Sequence, residues 1–384
     1  MTSAVAAAAA PRTAAPSTQA LPGEGALAWD TARQLLGALL NGEWASRAAA
    51  ALQPFGQRVR TRVARLAAEP DGGPPPRTVR ELVARVSTTF ARLPGAQPTG
   101  TAEPLDLPGA AAPLRAMADP GFRRLRAAAQ RLCGEHGVQC LLHGSLASDD
   151  WTNYRDADLL VLVPDAVLGT PALLDRLRRA MLPLQRALFA FDPLQHHGVF
   201  ATSTAELQAW PEHWLPLATL RRALDLGGDG TRLTVRPSFD LGLARQNFAA
   251  AVAYFEHARL PHDAYGWKAF ASVLMLVPAL HQAAQGAPCW KADSFARAAA
   301  RVAPDLWQPQ LWAAAFRKDF RDPTPRWIRH LLRFAPEPRC LQQALRRFVR
   351  LPRQQLPADG TALLRAARTL TRALATDLAP ETSP

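Results

Sequence analysis

The sequence predicts an α+β fold: a small mixed sheet with flanking helices, followed by an α-helical domain, with an extra helical region at the N-terminus. Three observations predict it. Short apolar runs bounded by Gly and Pro cluster between residues 138 and 237, as strands do. Helix-period segments alternate with those runs. From Phe239 onward almost every segment is helix-compatible and is broken only at Pro or Gly. Strands and helices mixed, then helices alone, describe an α+β module ahead of a helical one.

The bulk composition narrows the class. The chain has 384 residues, enough for two domains with cores. A hydrophobic share of 48% excludes a disordered protein as a whole, while 34 Pro and 23 Gly imply many breaks. Formal charge is +13. Lysine stands only at 268, 291 and 318, so 42 of the 45 basic residues are arginine. A bias this complete is what GC-rich codon usage gives, which weakens the step from charge to function. A basic surface still attracts polyanions, whether nucleotides or nucleic acid. The four cysteines (133, 140, 289 and 340) show neither a C-x-x-C pair nor zinc-ligand spacing, which reads as reduced thiols in a cytoplasmic protein. MTSAVAAAAAPRTAAP lacks the basic n-region of a signal peptide. The longest apolar segment, AFASVLMLVPAL (269–280), is too short to span a bilayer, so no membrane partner is expected.

The elements follow in order. Residues 1–25 are Ala/Pro/Thr/Ser-rich and read as disordered. Residues 26–94 carry helical spacing (Leu35, Leu36, Leu39 and Leu40; then Val59, Val63 and Leu66), interrupted by EPDGGPPPR at 69–77. Residues 95–113 read as a linker. The catalytic-type module spans 114–238. It opens with Asp119-Pro120, an N-cap followed by Pro at the first helical position, and Gly137 can end that helix. VQCLLH (138–143) and ADLLVLV (157–163) read as strands with Gly144-Ser145 as a turn between them. A helix is expected over 171–187, bent or ended at Pro183. Strands are then expected at ALFAFD (187–192), GVFATS (198–203) and RLTVRP (232–237). A helical domain over 239–376 and a disordered tail over 377–384 complete the chain.

One stretch poses a chemical question. Asp156 and Asp158 open the apolar run LLVLV, although acids are depleted in strands and rarely buried alone. In a strand, positions i and i+2 share a face. The two aspartates therefore project together, while Ala157, Leu159, Val161 and Val163 enter the buried side. Two carboxylates this close repel, and a divalent cation removes the conflict; hard oxygen ligands suit Mg²⁺ with substrate phosphates. Gly144 lets backbone N–H groups approach phosphate oxygens, and the Ser145 hydroxyl adds a donor. Ten residues (146–155) separate the turn from Asp156, enough to loop over a nucleotide and return in a neighbouring strand. Two solvent-facing acids at a strand end are the plain alternative.

Apolar-Gly-Ser, a gap of about ten residues, then Asp-x-Asp in an apolar strand resembles the signature of the polymerase-β-like nucleotidyltransferase superfamily. Here it reads His143-Gly144-Ser145 … Asp156-Ala157-Asp158-Leu159. The motif covers about 25 residues, with compatible elements over roughly 120. The resemblance implies a metal-dependent enzyme that transfers NMP from an NTP, ATP in most such families, to a hydroxyl acceptor with release of pyrophosphate. It implies two Mg²⁺ ions, with Mn²⁺ able to replace them. It also implies a third carboxylate on the next strand, which completes the two-metal site. Asp192 is the candidate, with Glu206 in reserve, although Asp192 precedes Pro193 and Asp-Pro also opens turns.

Other residues are less specific. Thr152 and Arg155 lie where they could meet a triphosphate, or could simply be solvated. Lys268 and Lys291 occur as Trp-Lys-Ala in a chain almost without lysine; similar enzymes use such a residue to grip β/γ-phosphates. Of His196 and His197, at most one is expected to face the site, and His143 reads as strand packing. Between Arg321 and Arg372, twelve arginines meet three acids. That is compatible with a nucleic-acid surface, though the spread over several helices favours solvated amphipathic faces. A nucleotide- or RNA-binding protein that keeps the fold without turnover is the rival reading.

Overall fold

The computed structural model describes residues 24–43, 76, 78–95, 100–109, 115–148 and 154–378. The expected helical face at Val59, Val63 and Leu66, nearly all of the 69–77 break, Thr152, and most of both terminal tails lie outside the described residues.

The chain is α+β, and apolar spacing explains most of its elements. Helix α1 (Glu24–Leu40) buries Leu35, Leu36 and Leu39, and α2 (Val79–Arg92) buries Leu82, Val83 and Val86 behind an N-cap at Thr78. Strand β1 (Glu103–Pro108) follows, then α3 (Pro120–His136), whose Asp119 side chain accepts from Gly121 N and whose Gly137 closes it at φ 65°. The left-handed closing position is one that glycine takes without penalty. Strand β2 (Gln139–His143), strand β3 (Asp158–Val163), helix α4 (Pro171–Phe191) and strand β4 (Phe200–Ser203) complete the module's centre. Short strands β5 (Trp210–Pro211), β6 (Leu224–Asp225), β7 (Gly230–Val235) and β8 (Pro237–Ser238) follow.

The main sheet has the order β4-β3-β2-β6. β2 is antiparallel to β3 and to β6, and β3 is parallel to β4 across the α4 crossover. Leu142, Leu159, Val161 and Val163 join α1 to α4 in one core, while Leu141, Leu160 and Leu162 meet Trp210, Leu233 and Val235 in another. β3 is thus buried on both faces, and only its first residue escapes.

The remainder is helical: α5 (Leu241–His257), α6 (Ala264–Ala284), α7 (Lys291–Ala299), α8 (Gln308–Asp319), α9 (Arg326–Phe334), α10 (Pro338–Leu345) and α11 (Gly360–Thr376). Their core also takes in Tyr154, Phe189, Ala190 and Leu194 from the first module.

Three expectations are corrected. The 95–113 linker contains β1, which pairs antiparallel with β7 and buries Leu105 and Leu107 while Asp106 faces out. Its prolines sit at the second and last strand positions, tolerable on an edge. The 187–192 strand does not form: α4 runs through Pro183 to Phe191, because ALFAF is buried nearly all round and so lacks a period that separates strand from helix. Asp377, placed in the expected tail, is held in the fold: its carboxylate meets His281 (3.1 Å) and Gln285 (2.8 Å). All four cysteines are free thiols. Among the described residues no helix is long and apolar enough to cross a membrane.

Candidate functional site

The site grows from the turn after β2. Gly144 adopts φ 75°, outside the range of most L-residues, and a Cβ placed there would lie 2.2 Å from Asp158 Oδ2. The glycine therefore lets the carboxylate rest on the backbone. His143 is the register partner of Asp158 and stacks on Phe200 at 5.6 Å, in keeping with a packing role. Burial lowers the His143 pKa. The Ser145 hydroxyl accepts from the Arg317 guanidinium on α8 at 3.2 Å, so the turn is bridged to the helical part.

Asp156 and Asp158 converge on one group. His197 Nε2 stands 3.0 Å from Asp158 Oδ1 and 3.6 Å from Asp156 Oδ1. His196 Nδ1 lies 3.8 Å from the same Asp156 oxygen. Between the two aspartates, the backbone of Ala157 is bracketed by Gln195, whose Oε1 accepts from Ala157 N (3.1 Å) and whose Nε2 donates to Ala157 O (2.7 Å). This side chain extends the strand's hydrogen bonding by one residue, which fixes the angle between the carboxylates. Arg339 on α10 holds the histidine loop in turn, donating to His196 O (3.1 Å).

Cations surround the pair. Lys268 on α6 is wholly buried, donates to Asp192 Oδ2, reaches Asp156 Oδ1 at 3.9 Å and lies 4.7 Å from the centre of the Tyr154 ring. Burial opposes ionisation of Asp156, but His196, Lys268, His197 and Arg317 outweigh it and hold that carboxyl well below the usual range. Asp158 is also lowered: burial opposes its charge, and His197 overcomes the burial. Burial works against a charge on His197 too, yet the hydrogen bond to Asp158 and the charges of both aspartates push it up to about 9. His196, without such a partner, is lowered by burial to about 3. Lys291, the first residue of α7, is lowered to about 7 by burial and by Arg317, against the pull of Asp158 and Asp156.

The expected residues are therefore sorted by position. Gly144, Ser145, Asp156 and Asp158 come together, with Lys268 beside Asp156 and Lys291 near enough to feel both acids. Asp192 is not on a strand: it ends α4, accepts from Leu194 N (3.1 Å) through Oδ1, and gives its other oxygen to Lys268. The same Lys268 ammonium lies 3.9 Å from Asp156 Oδ1, so Asp192 neighbours the acid pair across that cation. Glu206 belongs elsewhere, buried against Arg33 of α1, and burial pushes it up to about 7. Arg155 turns to Asp119 (3.1 Å) and the Phe191 ring. It does so at φ 58°, a strained value for a non-glycine residue. Sequence reasoning missed Arg317, Arg339 and Gln195; the first two act across more than a hundred residues and carry no local signal.

Comparison with family models, with curated proteins and with solved structures gives no match for this chain. Its function is therefore argued from this geometry.

The donors present test the metal reading. Asp156 Oδ1 and His196 Nδ1 are both buried without a hydrogen-bond partner although they face each other. Among the described residues, the group able to surround an ion comprises Asp156, His196 and His197. A cation fits between those orphaned atoms, but the set is one of carboxylate and imidazole, not the three carboxylates expected.

Proposed function

We propose that the chain is a metal-dependent nucleotidyltransferase that transfers NMP from an NTP to a hydroxyl acceptor. The observation that carries this reading is the contact of the Asp158 carboxylate with Gly144, which puts the Gly-Ser turn and the acid pair side by side. Arg317 and Lys291 bring positive charge there from the helical part.

In this reading the triphosphate lies on the Gly144-Ser145 turn, where backbone N–H groups and the Ser145 hydroxyl meet its oxygens. Arg317 exchanges its bond to Ser145 for the phosphates, and Lys291 gains a proton as it meets them. Asp156 and Asp158 would hold a divalent ion, which when bound supplies charge neutralisation at the phosphates. The acceptor oxygen forms its bond to the α-phosphorus, the α–β bridging bond breaks, and pyrophosphate leaves. The hydroxyl proton passes to a carboxylate of the pair. Positioning and neutralisation provide most of the acceleration in such transfers.

A second reading is favoured by a specific observation: Lys268 stands between Asp192 and Asp156, and among the described residues the group able to surround an ion holds no carboxylate besides Asp156. This is what a nucleotide- or RNA-binding protein without turnover would look like. Radiolabelled NTPs screened with Mg²⁺ or Mn²⁺ and pools of hydroxyl acceptors separate the two. Pyrophosphate release abolished by Asp158→Ala supports the enzyme. Tight NTP binding with no release supports the binder, and absence of both overturns the nucleotide reading altogether.

A further inference from the structure

We infer that the acid pair is one edge of a mixed carboxylate–imidazole site for a first-row transition ion, held by Asp156 Oδ1, His196 Nδ1 and His197 Nε2, and not a site built for Mg²⁺. The inference rests on reading the Asp-x-Asp centre as a metal site, and it names the metal class. Three independent features of the geometry carry it.

The first is spacing. Asp156 Oδ1 lies 3.8 Å from His196 Nδ1 and 3.6 Å from His197 Nε2, and one donor atom from each of the three residues lies within 4.8 Å of the other two. Donors about 2.0–2.2 Å from a shared ion stand roughly 3 to 4 Å apart. The same separations are too long for a direct hydrogen bond.

The second is the want of partners. Asp156 Oδ1 and His196 Nδ1 are buried atoms with no hydrogen-bond partner; Lys268 Nζ, at 3.9 Å from that oxygen, is beyond hydrogen-bond reach, and the Asp156 side chain keeps only 8% of its surface exposed. Buried polar groups are seldom left so. An ion between the two atoms satisfies both.

The third is how His197 is held. Its Nδ1 lies 2.8 Å from Gly198 O and donates to it, which turns Nε2 toward the aspartates. A ligating histidine ordinarily donates its other ring N–H to a carbonyl or carboxylate in this way. The neighbouring backbone is fixed too: Asn41, in the turn after α1, brackets Val199 through bonds of 2.9 and 2.8 Å. Asp158 Oδ1, 3.0 Å from His197 Nε2, accepts the N–H of that nitrogen; an ion that binds there releases this proton to solvent and leaves the carboxylate placed as a fourth donor.

Imidazole nitrogen suits Zn²⁺, Fe²⁺, Ni²⁺ or Cu²⁺, with Co²⁺ between iron and nickel in affinity, whereas Mg²⁺ demands near-octahedral oxygen and keeps its waters. The His196-His197 pair thus replaces the carboxylate expected on the third strand and changes the ion that the site selects.

The full chain, stripped with chelator, is titrated with Co²⁺, Zn²⁺, Mn²⁺ and Mg²⁺ without nucleotide. One Co²⁺ or Zn²⁺ per chain is expected, tighter than Mg²⁺ by at least about 100-fold, with Co²⁺ giving visible absorption of nitrogen-ligated character. His196→Ala and His197→Gln should each weaken Co²⁺ at least about 10-fold. A measurement on the wild type guards against misfolded variants: pulsed electron paramagnetic resonance of bound Mn²⁺ should show coupling to imidazole ¹⁴N. Absence of that coupling, or Co²⁺ affinity unchanged in folded His196→Ala, overturns the inference. Pyrophosphate release at full rate with Mg²⁺ in His196→Ala also overturns it while leaving nucleotidyl transfer standing. Co²⁺ bound as expected with no NTP binding supports the metal site and removes the transferase instead.

Discussion

Gly144 and Asp158 share a space that holds only one side chain: a Cβ on residue 144 would approach Asp158 Oδ2 to 2.2 Å. Gly144→Ala must therefore displace the carboxylate and also hold alanine at φ 75°, which alone costs about 1–2 kcal/mol. Loss of about 1–3 kcal/mol in urea unfolding and at least about tenfold weaker NTP binding are expected. Gly134, within α3 and with open space around it, is the control. Gly134→Ala should be neutral or gain up to about 1 kcal/mol. Equal behaviour of the two variants would contradict the contact.

Lys268 and Asp192 form a buried ion pair, so removing one partner strands the other. Lys268→Met should cost about 3–5 kcal/mol. The double variant Lys268→Met, Asp192→Asn should recover a large part of that loss, because no buried charge remains. Urea denaturation of the wild type, of Lys268→Met and Asp192→Asn singly, and of the double variant measures the coupling. Additive losses would show that the two side chains do not meet.

Lys291 supplies a pH test. Its folded pKa is depressed from the ordinary 10.5 to about 7. The stability that this contributes is present above the ordinary value and is lost as pH falls through about 7. Nucleotide binding runs the other way, because a triphosphate holds the proton on. NTP affinity should be highest below pH 7 and should decline as pH rises above it. Lys291→Arg keeps its charge throughout and should flatten the profile between pH 7 and 9. Isothermal titration at several pH values reads the difference; identical slopes in both proteins would place Lys291 away from the phosphates.

The Arg321–Arg372 segment is expected to give little polyanion binding. Arg329 is drawn to Asp322 and to the carbonyl of Ala190 (3.0 Å), Arg368 to Phe255 O and Ala258 O (both 2.8 Å), and Arg372 to Glu256. Arg346 lies 4.2 Å from the centre of the Tyr265 ring. Affinity for single-stranded RNA, plotted logarithmically against salt, should have a slope no steeper than about −1. Neutralising Arg346, Arg347 and Arg350 together should leave transfer unchanged. A slope near −4 would reveal an extended phosphate-binding face.

Local spacing made part of this site readable. Gly144, Ser145, Asp156 and Asp158 lie within fifteen residues, and the period of a strand predicts two acids on one face; β3 itself begins at Asp158, and Asp156 stands just ahead of it, where Gln195 pairs with Ala157. Rarity made Lys268 and Lys291 visible, but rarity does not name a partner: Lys268 meets Asp192, and only the fold could bring α6 to the end of α4. Asp192 and β1 were misread for opposite reasons. The last turn of α4 is too apolar to show a helical period, whereas β1 alternates Leu105 and Leu107 correctly but is dressed in prolines. Arg317 reaches Ser145 over 172 residues, a separation at which sequence pattern carries no information.

Tyr154, two residues ahead of Asp156, is fully buried among Phe316, Phe320 and Lys268, and its hydroxyl bonds Ser272 Oγ at 2.7 Å. The acid pair is consequently moored in the helices that follow residue 238. A gene fragment ending there would carry every residue of the Gly-Ser and Asp-x-Asp motifs and still lack the floor on which Tyr154 rests. Such a piece could not be grafted onto another helical partner without resetting the distance between Asp156 and Ser145. In this molecule, exchanging the helices would also move the acid pair.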